Sequence, residues 1–153
     1  MTDSLIIACA LVHRSHNGQI QAFVAQRADS KPFLPGAYEL PGGHVAVGET
    51  VEAGLQREFQ EEFSLSINVG DPFAVFNYVD VSGGQATEIV YYATLRDPAA
   101  AITLLPEEHS QFRWVTLADI ADLVTPNKSA DDPAFAILRR GLEILSGAQP
   151  NFG

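Results

Sequence analysis

Several things are scarce in this chain of 153 residues, and each scarcity removes a class of protein. There is one cysteine, Cys9, so no internal disulfide can form. Its apolar setting, IIACALV, reads as a buried strand thiol rather than a nucleophile. Basic residues are few: 9 Lys and Arg stand against 19 Asp and Glu, a net charge of −10. A phosphate backbone binds a basic face, so a nucleic-acid polymer is not an expected partner. A small phosphorylated ligand stays open, because metal ions at a site reverse the local sign. No apolar run approaches the roughly 20 residues that span a bilayer, so no membrane association is expected. The first residues, MTDSLIIACALV, lack the basic start of a secretory leader and soon meet His13 and Arg14. The expectation is a cytoplasmic protein. Internal repeats, linkers and low-complexity stretches are also missing. That predicts a single domain over residues 1–153, large enough for a stable core, with a loose tail at 146–153.

What the chain does have is concentrated in one stretch, GHVAVGETVEAGLQREFQEEFSL, from Gly43 to Leu65. If Thr50 to Phe63 is a helix, Glu58, Glu61 and Glu62 stand at i, i+3 and i+4, and three carboxylates share one face. Leu55, Phe59 and Phe63 form an adjacent apolar stripe that docks the helix on a core. Carboxylates packed this closely repel by a few tenths of a kcal/mol per pair on an exposed helix. A divalent cation among the oxygens turns repulsion into affinity, and hard cations such as Mg2+ take carboxylates together with substrate phosphates.

This stretch resembles the Nudix box: Gly, five residues, Glu, seven residues, Arg-Glu, apolar, any, Glu-Glu, any, Gly, apolar. Gly43, Glu49, Arg57, Glu58, Glu61, Glu62 and Leu65 match in register. Ser64 stands where the box has its second glycine, and Phe59 where the family usually has an aliphatic residue. A glycine at 64 would supply a left-handed cap at little cost, whereas a serine does so with strain, or the helix ends differently.

The resemblance implies an α/β protein, a Nudix-type α/β/α sandwich whose mixed, twisted sheet is flanked by helices. It implies metal-dependent hydrolysis of a nucleoside diphosphate linked to a moiety X, with Mg2+, or Mn2+ in its place, as cofactor. Glu58 and Glu62 become metal ligands, Glu61 a further ligand or the base, and a carbonyl of Gly42 or Gly43 another ligand. Arg57 pairs with Glu49 and braces the loop against the helix. Glu108 is the candidate for the additional acid that such enzymes place in a later loop, as metal ligand or general base. Arg27, Phe33, Tyr38 and Glu39 are carried over to the substrate side: Arg27 toward phosphate, Phe33 and Tyr38 as platforms for a base or as core residues. A homodimer is compatible with this reading.

The remaining elements follow from local pattern. Ser4 to Arg14 reads as a buried strand, Asn17-Gly18 as a hairpin turn, and Gln19 to Arg27 as the returning strand. Residues 28–37, with Pro32, Pro35 and Gly36, form a loop, and Tyr38-Glu39-Leu40 a short strand before Pro41-Gly42-Gly43. Leu65 to Val81, interrupted at Gly70-Asp71-Pro72, and Thr87 to Leu95 form a hairpin about Ser82-Gly83-Gly84. Glu88 is read as a charged strand end or as pointing into the cleft, His13 and His16 as solvated, and Trp114, in the strand Phe112 to Val115, as core. Thr116 caps a short helix to Val124, with Asp119 completing an approximate capping box. Asp132-Pro133 opens a last helix whose Phe135, Leu138, Leu142 and Leu145 face the sheet.

No second motif selects X among nucleoside triphosphates, oxidised guanine nucleotides, ADP-ribose, dinucleoside polyphosphates or nucleotide sugars. YELPGGHV and EHSQFRWV resemble small nucleoside triphosphate pyrophosphatases most. A nucleotide sensor of the same fold is the alternative, but such proteins usually lose box carboxylates, which are present here. Prenyl diphosphate isomerisation would want a cysteine in the site, for which Cys9 is poorly suited.

Overall fold

The computed structural model describes residues 5–148. Its elements are β1 (Leu5–His16), β2 (Gln19–Arg27), β3 (Tyr38–Glu39), β4 (Gly42–His44), α1 (Val51–Phe63), β5 (Ile67–Val79), β6 (Gln85–Leu95), β7 (His109–Val115), a 3-10 helix (Leu117–Leu123) and α2 (Pro133–Leu145). The sheet runs β3-β2-β1-β6-β5, with β4 also on β1 and β7 also on β2. It is mixed: β1 lies parallel to β6 and antiparallel to β2 and β4.

Alternation along β1 and β2 explains why both faces are covered. Ala8, Ala10 and Val12 with Phe23 and Ala25 point to one face, where Leu55, Phe59 and Phe63 of α1 close the core. Leu11, Ala22 and Val24 point to the other, against Ile120, Leu123, Phe135, Leu138 and Leu142. A strand buried on both sides has no polar face to show, which is why β1 reads as a near-continuous apolar run. The result is a sheet between helices, the expected α/β/α arrangement.

The hairpin β1–β2 turns at Asn17 and Gly18, both at positive φ (51° and 76°), as a tight primed turn demands. β5 lies inside the expected span but is not interrupted at Gly70-Asp71-Pro72. It passes through Pro72 without stopping, by register shifts between Val69 and Ala74 that accommodate a residue with no N–H to donate. β7 begins at His109, earlier than expected. The helix after Thr116 is 3-10 rather than α; the Thr116 N–H donates to Asp119 Oδ2 at 2.9 Å, so the expected capping box forms. Asp132 caps α2 through Ala134 N–H, with Pro133 in the first turn. Gly147 follows α2 at φ 105°. Ser4 and the tail from residue 149 lie outside the described residues.

Candidate active site

Helix α1 starts where Thr50 accepts from Ala53 N–H at 3.1 Å. It ends at Ser64, which does adopt the left-handed conformation (φ 55°, ψ 38°). Ser64 N–H donates to Gln60 O, the single bond of an αL cap, and Leu65 N–H reaches back to Phe59 O. Phe59 and Phe63 are fully buried, so the helix cannot rotate without exposing two aromatic rings. That docking fixes which carboxylates face inward.

The three box carboxylates divide. Glu58 and Glu62 line a cavity of about 650 Å³, while Glu61 lies outside its lining and is exposed. Arg57 gathers the outer ones. Its NH1 donates to Glu58 Oε1 at 3.1 Å and to Glu61 Oε2 at 3.2 Å. Its Nε and NH2 take both oxygens of Glu49 at 2.9 and 3.0 Å, and NH2 also reaches His44 O. The Arg57–Glu49 brace is thus a bidentate pair, with Ala46 N–H adding a bond to Glu49. These bonds hold the Glu49 carboxyl down at about 2 and push the Arg57 guanidinium up. Gly54 leaves room for this pair: a Cβ there would stand 2.8 Å from Glu49 Oε1.

Glu62 has the opposite environment. It is buried, and its Oε2 meets no hydrogen-bond donor. Burial, then the charges of Glu58, Glu39 and Glu108, pushes its carboxyl up to about 8, with Lys31 opposing. Burial likewise raises Glu58, against the pull of Arg57. Gly43 packs directly on Glu58, since a Cβ would fall 2.6 Å from Glu58 Oε1. Among the described residues, no three His, Cys, Asp or Glu side chains converge as a ready-made metal cage. The groups of α1 that face the cavity are nevertheless both carboxylates, Glu58 and Glu62, the latter with an orphaned oxygen in a cluster of like charge. That set fits a hard divalent cation.

The other expected residues lie around the same cavity. Glu108 lines it and pairs with Lys31 at 2.7 Å. Arg27 lines it too, but its guanidinium is engaged, donating to Phe33 O at 2.8 Å and to Glu39 Oε1 at 3.0 Å. The second oxygen of Glu39 meets His109 Nε2 at 2.7 Å, and together His109 and Arg27 outweigh burial and lower that carboxyl. Phe33 stacks on Tyr78 with ring centroids 6.3 Å apart. Tyr38 is buried in the second core, its ring edge reaching the cavity and its hydroxyl on Gln111. Trp114 packs against the first core with the Arg14 guanidinium 4.1 Å above it.

Four functional neighbours were not singled out from the sequence, or were read as bland. Lys31 sits in a proline-bounded loop with no motif to mark it. His109, 2% exposed, is stacked on Phe63. Lys128, 6% exposed, lies in a polar stretch that gives no hint of burial. Glu88 is no solvated strand end: it is partly buried in the cavity wall, and burial pushes its carboxyl up to about 7.

The NUDIX domain profile matches residues 5–137. A Mycobacterium tuberculosis protein provisionally named 8-oxo-dGTP diphosphatase 2 is 33% identical over 132 residues, 80% of this chain and 80% of its own. A C. elegans Ap4A hydrolase superposes with a TM-score of 0.75 at 23% identity, covering 94% of this chain and 99% of that one. The MutT protein of Methanosarcina mazei does so at 0.73 and 22%, covering 96% and 98%. At such identities these two likenesses are of fold. The chain belongs to the Nudix family. It is, more particularly, a hydrolase of phosphorus-containing anhydrides.

Proposed function

We propose that the chain, acting as a single domain in the cytoplasm, is a Mg2+-dependent nucleoside triphosphate pyrophosphohydrolase, with Mn2+ able to replace Mg2+. The observation that carries this is the buried, unpartnered Glu62 oxygen beside Glu58 in a cavity large enough for a nucleotide. Glu58, Glu62 and the Gly43 carbonyl hold the cation, and Glu61 is a further ligand or a base once Arg57 releases it. The cation supplies charge neutralisation on the phosphate oxygens and lowers the pKa of water beside it. Glu108 accepts the proton of the attacking water. Arg57 and Glu49 act at one remove, holding the loop that follows β4 against α1. Arg27 turns toward phosphate, with Glu39 and His109 setting its direction, while Phe33 and Tyr38 bound the sugar and base. The name of the tuberculosis relative puts oxidised guanine nucleotides first among substrates to try.

The test is phosphate or pyrophosphate release from canonical and oxidised dNTPs, ADP-ribose, dinucleoside polyphosphates and sugar nucleotides, with and without Mg2+ or Mn2+. Metal-dependent turnover of triphosphates above the other classes is expected. Preference for another class would replace the substrate assignment, and tight nucleotide binding without turnover would favour the sensor.

A further inference from the structure

The cavity extends well past the carboxylates of α1. Its other end is lined by Lys128, Glu88, Cys9 and Asp132, with Phe33, Phe76 and Tyr78 along the wall. Lys128 and Glu88 are oppositely charged and face the same space. Among the described residues neither forms an ion pair. An interior charge without a partner is costly, and removing one member of a buried pair is strongly destabilising. Two such charges held apart across a cavity form a donor and an acceptor that a bound molecule completes.

Both are held in place. Lys128 N–H donates to Thr125 O at 3.0 Å and Thr125 N–H to Lys128 O at 3.1 Å, closing a tight turn. Asn127 ties that turn to Pro35 O at 2.7 Å. The ammonium spends one donor on Tyr38 O at 2.8 Å, stands 5.4 Å from the Phe135 ring centre, and keeps two donors free. Glu88 sits in β6, paired with Ile7 of β1 and Phe76 of β5. The Cys9 thiol lies beside it and works against the effect of burial on its carboxyl. Burial lowers the Lys128 ammonium and raises the Glu88 carboxyl; Asp132, Glu39 and Glu88 oppose the first shift and Lys128 the second, without cancelling them.

We propose that Lys128 and Glu88 read the base of the nucleotide, and that the base they fit is guanine, oxidised or not. A carboxylate accepts two adjacent N–H donors in bidentate fashion, and an ammonium donates to a keto oxygen. Guanine alone among the common bases carries a keto oxygen followed by two neighbouring N–H groups on its pairing edge. The aromatic wall supplies flat surface for the ring. This assignment rests on the proposed nucleotide hydrolase, with the phosphates lying toward Glu58 and Glu62.

Calorimetric binding of dGMP and dIMP separates the two ideas, because it needs no turnover; dIMP lacks only the exocyclic amino group. Wild-type protein is expected to bind dGMP about tenfold more tightly than dIMP, as for one lost base contact. E88Q should bring that ratio near one, and K128M should weaken both about tenfold, with melting temperatures showing that each variant is folded. In the hydrolysis panel, the same two substitutions should raise KM for guanine triphosphates more than they lower kcat. Equal binding of dGMP and dIMP by the wild type, an unchanged ratio in E88Q, or tighter binding of another base overturns the assignment. Base-selective binding without hydrolysis of any nucleotide overturns the hydrolase and leaves the reading pair standing.

Discussion

Glu62 and Glu61 are neighbours in sequence with the same side chain, yet one oxygen of Glu62 is buried without a donor while Glu61 is exposed on Arg57. Such a site trades stability for function. Replacing the Glu62 charge with an amide of the same size removes a desolvated anion and, on the proposed function, a cation ligand with it. In metal-free buffer near pH 8, E62Q is therefore expected to melt higher, by about 3 °C. With Mg2+ its kcat should fall at least about 100-fold. Thermal melts without metal and turnover with it check the two halves. A lower melting temperature with normal turnover would mean that Glu62 is a structural residue.

Helix α1 owes its position to its two ends and one stripe. Thr50 opens it, Phe59 and Phe63 seat it, and Ser64 closes it at φ 55°. A non-glycine residue in that region carries about 1 kcal/mol of backbone strain, and the cap bonds here are made by main-chain N–H groups rather than by the serine hydroxyl. S64G should relieve the strain and stabilise the protein by about 0.5 kcal/mol, since part of the gain is offset by the freer unfolded chain. Urea unfolding reads this as a higher midpoint at unchanged m-value. A lower midpoint would reveal a contact made by the hydroxyl.

For the whole molecule, the carboxyls that matter to pH pull in opposite directions. Glu49, held near 2, stabilises the fold at neutral pH and loses that contribution as pH falls through its folded value. Glu62 and Glu88, raised to about 8 and about 7, act the other way. Between the unfolded carboxyl value of about 4.3 and those raised values, the unfolded chain has released protons that the folded chain still holds. Stability of the metal-free protein should therefore decline as pH rises from about 5 to about 8. A divalent cation prefers the deprotonated carboxylates, so the melting temperature gained on adding Mg2+ should grow over the same interval. Melting curves at several pH values, with and without Mg2+, measure both slopes; a flat metal-free curve would refute the account.

Local pattern was enough to read the apolar strands, the Asn17-Gly18 turn, the start of the last helix at Asp132-Pro133, and the spacing that puts Glu58, Glu61 and Glu62 on one helix. These depend on residues within a few positions of one another, where backbone geometry alone dictates who is a neighbour. The resemblance to the Nudix box also suggested the Arg57–Glu49 brace, because both residues belong to that motif. Local pattern did not reveal that Lys31 meets Glu108, that His109 holds Glu39, or that Lys128 and Glu88 share a cavity. Those partners are 77, 70 and 40 positions apart and carry no motif. Burial is the reason they matter: it decides which of three identical carboxylates lacks a donor, and which lysine is shut away from water. Burial belongs to the assembled sheet and helices, so the chain itself determined the family and the set of candidate carboxylates, and only the tertiary structure decided how charged they are and what faces them.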